Sequence, residues 1–429
     1  MYRAFFAHIS EIYFYFIRET PTMAVLLSDE RLWFTPAPAE INQIIVYGQS
    51  LAAGATSRPL LPDEPSASNL TYRGGVRGGA KDAQDFSAAK PLAEDEHNPA
   101  PDGLDNRGET VCSGAAAYAT RLAQTENGIA PSSHVLFISS AGKSGAAIGE
   151  LQKESPWYRD QFLRHLNGTS AFSRRRALQA IFWLQGETNS DGREEDSSVA
   201  GYKAALLRLR ADIEAQARSA TGQRAPVPFI VYQHATNIRT NPDIALAYFD
   251  LIREAGSPFF FAAPTYLFPH AEDGLHLTAA GYRWLGYYFG RAYKQMMHDG
   301  IRPRAIMPLD ARSMGREVRV RFRVPQPPLV LDVAALAATA DYGFSVYDRG
   351  ERIALRAVRI EEGDTVVLEA ERPLSAAVTV KYAMDALGKG LNIQAGASGN
   401  LRDSTAETVE IDGKARPLFY LCPHFSIDA

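Results

Sequence analysis

Between residues 41 and 300 the apolar residues come in short unbroken runs, each followed by a polar or amphipathic stretch. Ile44–Tyr47, His134–Ser139, Ala177–Leu184, Pro228–Tyr232 and Pro258–Ala262 are such runs. Runs without polar alternation suit parallel strands covered on both faces. Helical patterns separate them over residues 110–125, Val199–Arg218, Asp243–Glu254 and Thr278–Met297, with Thr278 placed to cap the last helix. The pattern predicts a three-layer α/β/α sandwich around a parallel sheet. A stretch rich in Pro, Gly and Asp from Ala52 to Gly108 reads as long loops.

Past Gly300 the period changes. EVRVRFRV at residues 317–324 alternates strictly, and LVLDV, YGFSVYD, DTVVLEA and AAVTVKYAM follow between turn residues. This predicts an antiparallel β-sandwich. The chain therefore divides into an arm over residues 1–40, an α/β unit over 41–300 and a β-rich unit over 301–429, with the boundary near Ile301–Met307. A length of 429 residues agrees with more than one core. The segment Gly399-Asn400-Leu401-Arg402-Asp403-Ser404 reads as a turn with an Asx-type bond.

Composition narrows the function. The formal net charge is -4 and no long basic run exists, which excludes a nucleic-acid surface; Arg174-Arg175-Arg176 reads as a solvated end. Cys112 and Cys422 form no framework or metal motif and read as buried thiols. Residues 1–17 are apolar and aromatic, but lack a small-residue cleavage site and are too short to span a membrane; Met23 offers an alternative start.

Chemistry concentrates at predicted strand ends, where open parallel sheets build sites. Gly48-Gln49-Ser50 follows the first run, so Ser50 sits on a tight turn. Gly142-Lys143-Ser144-Gly145 follows the second, offers a close-approaching backbone N–H, and makes Ser144 a rival nucleophile through a near miss to G-x-S-x-G. Trp183-Leu184-Gln185-Gly186-Glu187 follows the third, where the Gln185 amide is a donor for an oxyanion. Asp273-Gly274-Leu275-His276 precedes the last helix, and the Asp can fold back to accept from His276 Nδ1. His270, Asp273 and His276 also share a spacing that a metal site would use, although no second ligand cluster accompanies them.

Together these blocks resemble the SGNH hydrolases, and within them the sialate O-acetylesterase-like and acetylxylan-esterase-like carbohydrate esterases, over about residues 41–295. The resemblance implies a serine esterase that removes O-acetyl groups from a saccharide without a cofactor. It implies Ser50 as nucleophile, His276 as base and Asp273 as acid, with Glu187 as the alternative acid. It implies an oxyanion hole of Ser50, Gly145 and Gln185. Asp273 is preferred over Glu187 because one turn carries it with the histidine. Gln49, Asn189, Tyr72, Arg73 and Arg77 are candidates for substrate contact. A non-catalytic saccharide binder on the same scaffold and a metal-dependent hydrolase are the rival readings.

Overall fold

The computed structural model describes residues 31–62, 68–192, 196–385 and 397–429. The readings over residues 1–17 and Met23 lie outside the described residues.

The predicted apolar runs become β1 (Ile41–Gly48), β4 (Leu136–Ser140), β5 (Arg176–Leu184), β6 (Phe229–Gln233) and β7 (Phe259–Pro264). They pair in parallel in the order β4-β1-β5-β6-β7. The loop-rich stretch adds two strands that the sequence pattern does not reveal. β2 (Leu70–Tyr72) joins β4 in parallel, and β3 (Ala89–Pro91) runs antiparallel to β2 at the edge. The expected all-parallel sheet is thus a mixed sheet of seven strands. A hairpin can add an antiparallel edge because it needs no crossover helix.

The main helices are α1 (Ser50–Ala53), α2 (Cys112–Asn127), α3 (Leu163–Gly168), α4 (Glu187–Ser190), α5 (Val199–Thr221), α6 (Asp243–Arg253) and α7 (Ala279–Lys294). Neighbouring β5 residues fix the layers, because successive side chains leave a strand on opposite faces. Phe182 meets Phe289 of α7 at 4.8 Å between ring centroids, while Trp183 Nε1 donates to Tyr202 of α5 at 3.3 Å. So α7 and α5 cover opposite faces, with α2 packed on α7 and α6 on α5. The α2–α7 crossing needs glycine: a Cβ on Gly290 would stand 2.4 Å from the Ala115 carbonyl oxygen. Thr278 caps α7, its hydroxyl accepting from Gly281 N at 3.2 Å.

The C-terminal part comprises β8 (Met307–Met314), β9 (Glu317–Arg323), β10 (Val330–Leu331), β11 (Phe344–Asp348), β12 (Glu351–Ile353), β13 (Leu355–Glu361), β14 (Thr365–Ala370), β15 (Val378–Tyr382), β16 (Leu401–Arg402), β17 (Thr408–Ile411), β18 (Lys414–Pro417) and β19 (Phe425–Asp428). Two four-stranded antiparallel sheets form, β12-β11-β15-β19 and β13-β14-β9-β8. The alternation in β9 buries Val318, Val320 and Phe322, and Phe322 meets Phe425 of the other sheet at 6.0 Å. Asp403 makes the expected Asx-type bond, its Oδ1 accepting from Thr405 N at 3.2 Å and also from Tyr420 N at 2.9 Å. Cys112 and Cys422 are free and buried.

The segment from Glu407 to His424 returns across the α/β unit. Trp284 Nε1 donates to Pro417 O at 2.9 Å and Tyr288 OH to Phe419 O at 2.8 Å. Arg291 donates to Leu418 O and stacks on Tyr420, and Tyr266 OH donates to Cys422 O at 2.6 Å. One contiguous hydrophobic core runs through both parts.

Candidate active site

Gly48 ends β1 with φ +145°, and a Cβ there would lie 1.9 Å from Leu184 O. Only glycine fits this crossing of β1 and β5. The chain then turns, Gln49 N donates to Leu184 O at 2.8 Å, and Ser50 opens α1. Its Oγ lies 2.8 Å from His276 Nε2.

His276 arrives from the far side of the sheet on the turn before α7. The Asp273 carboxylate shapes that turn: Oδ1 accepts from the N–H of Leu275 and of His276, each at 2.9 Å. Its Oδ2 lies 2.6 Å from His276 Nδ1. Burial alone would raise the Asp273 pKa, but the His276 ring and the two backbone N–H groups outweigh it and hold the carboxyl below its usual value. An ionised Asp273 favours the tautomer with the proton on Nδ1, leaving Nε2 to accept from Ser50.

Above Ser50 lies a cleft of about 260 Å³, lined by residues that include Gln49, Ser50, Arg107, Gly145, Glu187 and His276. Each of β1, β4, β5 and β6 sends the residues after its carboxyl end into it. Gly145 has φ +67° and open space where a Cβ would be. Neither its N–H nor that of Ser50 donates to another group among the described residues.

Gln185 departs from its expected role as an oxyanion donor. It is fully buried, and its Nε2 donates to Ala146 O at 3.1 Å and to Asn189 Oδ1 at 2.7 Å. Its Oε1 accepts from Tyr202 OH. A primary amide has two N–H donors, and both are spent on the protein. Asn189 is likewise buried rather than facing a substrate: its Oδ1 also accepts from Ile148 N at 2.9 Å, which ties α4 to the loop carrying Gly145. Gln49, by contrast, lines the cleft. Its Oε1 accepts from Gly186 N and Thr188 N, both at 3.2 Å, while its Nε2 bonds to no other described residue.

Glu187 lies on the cleft wall, 3% exposed, and accepts from Tyr232 OH at 2.5 and 2.7 Å. Burial pushes its carboxyl up to about 7. The carboxylate hydrogen-bonded to His276 is that of Asp273. Ser144 faces a cation instead of a base: Arg107 donates to its Oγ and pairs with Asp102 at 2.5 Å, both side chains nearly inaccessible. Arg107 and Asp102 come from the loop-rich stretch, where nothing in the pattern sets them apart.

Three further candidates sit away from the cleft. Tyr72 is fully buried in β2, its hydroxyl donating to His165 O. Arg77 is buried and donates to Ala53 O at 2.9 Å, Asp95 O at 2.7 Å and Gly108 O at 2.5 Å. Arg73 is exposed and paired with Asp85 at 2.5 Å. They hold the edge hairpin and its loops, the packing role that the sequence also allows them. His270 turns its Nδ1 to Phe268 O at 2.9 Å. No group of three or more His, Cys, Asp or Glu among the described residues is arranged to hold a metal ion. None of their helices is long and apolar enough to cross a membrane.

A family model described as carbohydrate esterase, sialic acid-specific acetylesterase, matches residues 42–295. No curated protein matches the chain. The structure of XAC1771, a carbohydrate acetylesterase from Xanthomonas citri, shares the fold at 14% identity and a TM-score of 0.53, covering 90% of this chain and 80% of that one. More distant likenesses are the AT4G34215 protein of Arabidopsis thaliana (19% identity, TM-score 0.44, 60% and 98% covered) and NanS (15%, 0.42, 62% and 99%).

Proposed function

Since the chain belongs to the carbohydrate esterase family of sialic acid-specific acetylesterases and is a carboxylic ester hydrolase, we propose that it removes O-acetyl groups from a saccharide by acyl transfer through Ser50. The observation that carries this reading is the unbroken hydrogen-bonded line from Ser50 Oγ through His276 to the Asp273 carboxylate.

In the first step Ser50 Oγ attacks the acetyl carbonyl while His276 Nε2 takes its proton. The oxyanion receives the N–H groups of Ser50 and Gly145. Gln49 Nε2 takes the place expected of Gln185 as the third donor, because its oxygen is already held by two backbone N–H groups. The tetrahedral intermediate collapses, the C–O bond to the sugar breaks, and His276 returns its proton to the departing sugar oxygen. Water then gives a proton to His276, attacks acetyl-Ser50, and acetate leaves as Ser50 regains its hydrogen. Asp273 stabilises the imidazolium formed in both halves.

The test is acetate release from a panel of O-acetylated saccharides by the wild-type protein and by Ser50→Ala, with fluorophosphonate labelling alongside. Release by the wild type, near-complete loss in the variant and a label confined to Ser50 are expected. Undiminished release by Ser50→Ala would remove the mechanism.

A further inference from the structure

We infer that the protein carries a second saccharide site, for a carboxylate-bearing glycan chain, in the groove between residues 31–33, the end of α6 and the start of the β-rich part. The groove has a volume of about 520 Å³, twice that of the cleft over Ser50. No residue lines both. Phe260 and Phe261 place the groove at the amino end of β7, whereas the cleft lies past the carboxyl ends of the strands. A strand of this length separates the two by roughly 20 Å, so the groove is not a subsite of the cleft.

Its charge selects the ligand. Four arginines line it, Arg31, Arg253, Arg302 and Arg323, and the one acidic lining residue among the described residues, Glu254, is already paired with Lys203. Arg302 is held by the carbonyl oxygens of Ile252, Ser257 and Phe259 and lies over the Phe260 ring. Arg31, Arg253 and Arg323 form no ion pair with a described residue, and Arg323 Nε is buried without a hydrogen-bond partner. Guanidinium stays charged at any working pH and matches carboxylate geometry with two donors. A concave surface lined by four arginines and no unpaired carboxylate among the described residues therefore attracts anions.

The apolar part selects a sugar. Trp33 is 52% exposed at the rim, where most large hydrophobic side chains of this protein are buried. Its indole offers a flat face for a pyranose ring, with Phe260, Phe261 and Met307 behind. Nucleic acid fits less well, since the chain is net acidic and the arginines are confined to one groove rather than drawn out in a track. The choice of a glycan rests on the esterase reading above; the anionic character does not.

The experiment is calorimetric titration of the full chain with an oligogalacturonate free of acetyl groups, so that binding is read without catalysis. A neutral xylo-oligosaccharide, a heparin fragment and a short single-stranded DNA of similar length serve as comparisons. Oligogalacturonate binding is expected to weaken at least tenfold in Trp33→Ala/Arg253→Ala and in Arg31→Ala/Arg253→Ala, with acetate release and thermal midpoint unchanged. Absence of binding, binding untouched by these variants, or equal binding of the neutral chain would overturn the site. Tighter binding of heparin or DNA at the same arginines would overturn its assignment to a carboxylated glycan. Failure of acetate release with binding intact would count against the esterase reading alone.

Discussion

Replacing Asp273 by Asn tests the site at the point where geometry makes the sharpest demand. The wild-type carboxylate accepts three hydrogen bonds, two on Oδ1 from backbone N–H groups and one on Oδ2 from His276 Nδ1. An amide has one oxygen and one NH2. Turned with oxygen toward Leu275 and His276 N–H, it keeps two bonds and presents NH2 to the ring. Turned the other way it keeps one and sets two backbone donors against its own, at a cost of about 1–3 kcal/mol for each donor left unmet. The first orientation therefore prevails, and Nδ1 must then be the unprotonated nitrogen. The proton moves to Nε2, which faces Ser50 and can no longer act as base. A wrong tautomer in such a triad costs about 10⁴-fold, or about 5.5 kcal/mol of barrier. Ala imposes no tautomer but also removes the two bonds that Oδ1 accepts in the turn, so it too should lose activity, with a lower thermal midpoint than Asn. The assay is kcat/KM for a chromogenic acetate, with KM nearly unchanged in both variants. An Asn variant within tenfold of wild type, or a larger loss in Glu187→Gln, would refute this assignment of the acid.

Gln49→Ala should lower kcat by about 100- to 1000-fold, the usual effect of deleting an oxyanion donor. Gln185→Leu should instead show itself in the thermal midpoint, because it leaves Tyr202, Asn189 and Ala146 short of buried partners at about 1–3 kcal/mol each; equal kinetic losses in the two would reverse their roles. Glu187 has its folded pKa raised by burial to about 7 from 4.5, so the folded state holds the extra proton between those values. Its contribution to stability is complete below about pH 4.5 and lost as pH rises through about 7, a change of roughly 3 kcal/mol. Glu187→Gln should therefore gain on the wild type from pH 5 to 8 in denaturant titrations, and parallel curves would contradict the burial argument. Gly48→Ala should fail to present Ser50, since its Cβ would overlap Leu184 O; soluble protein with normal fluorophosphonate labelling would count against that geometry.

Much of the α/β unit was legible because its central strands are buried on both faces and two of its helices, α5 and α7, carry their own N-caps. The strand runs at Ile44 and Ala177 and the Thr278 cap needed only local sequence. Asp273 and His276 were readable together because one turn holds both. β2 and β3 were not, because strands of three residues carry too little pattern to stand out from loops. The same shortness hid the burial of Tyr72 and Arg77, which follows from the hairpin joining the sheet. The predicted strand LVLDV shrinks to Val330–Leu331 behind Pro328. Gln185 shows a different limit. Its residue type suits an oxyanion hole, but what its amide does depends on Tyr202, Asn189 and Ala146, partners that sequence spacing does not bring together.

The return of residues 407–424 over α7 has a consequence for anyone trimming the gene. His276 is set by the turn that leads directly into that helix, and Trp284, Tyr288 and Arg291 on its outer surface take their partners from Pro417, Phe419 and Leu418. A stop codon after Gly300 would leave those side chains wet and unpaired while sparing Ser50, Asp273 and His276. Such a fragment should be insoluble or inactive, and the whole chain should melt in one calorimetric step, because the turn that holds His276 borrows its rigidity from residues 407–424.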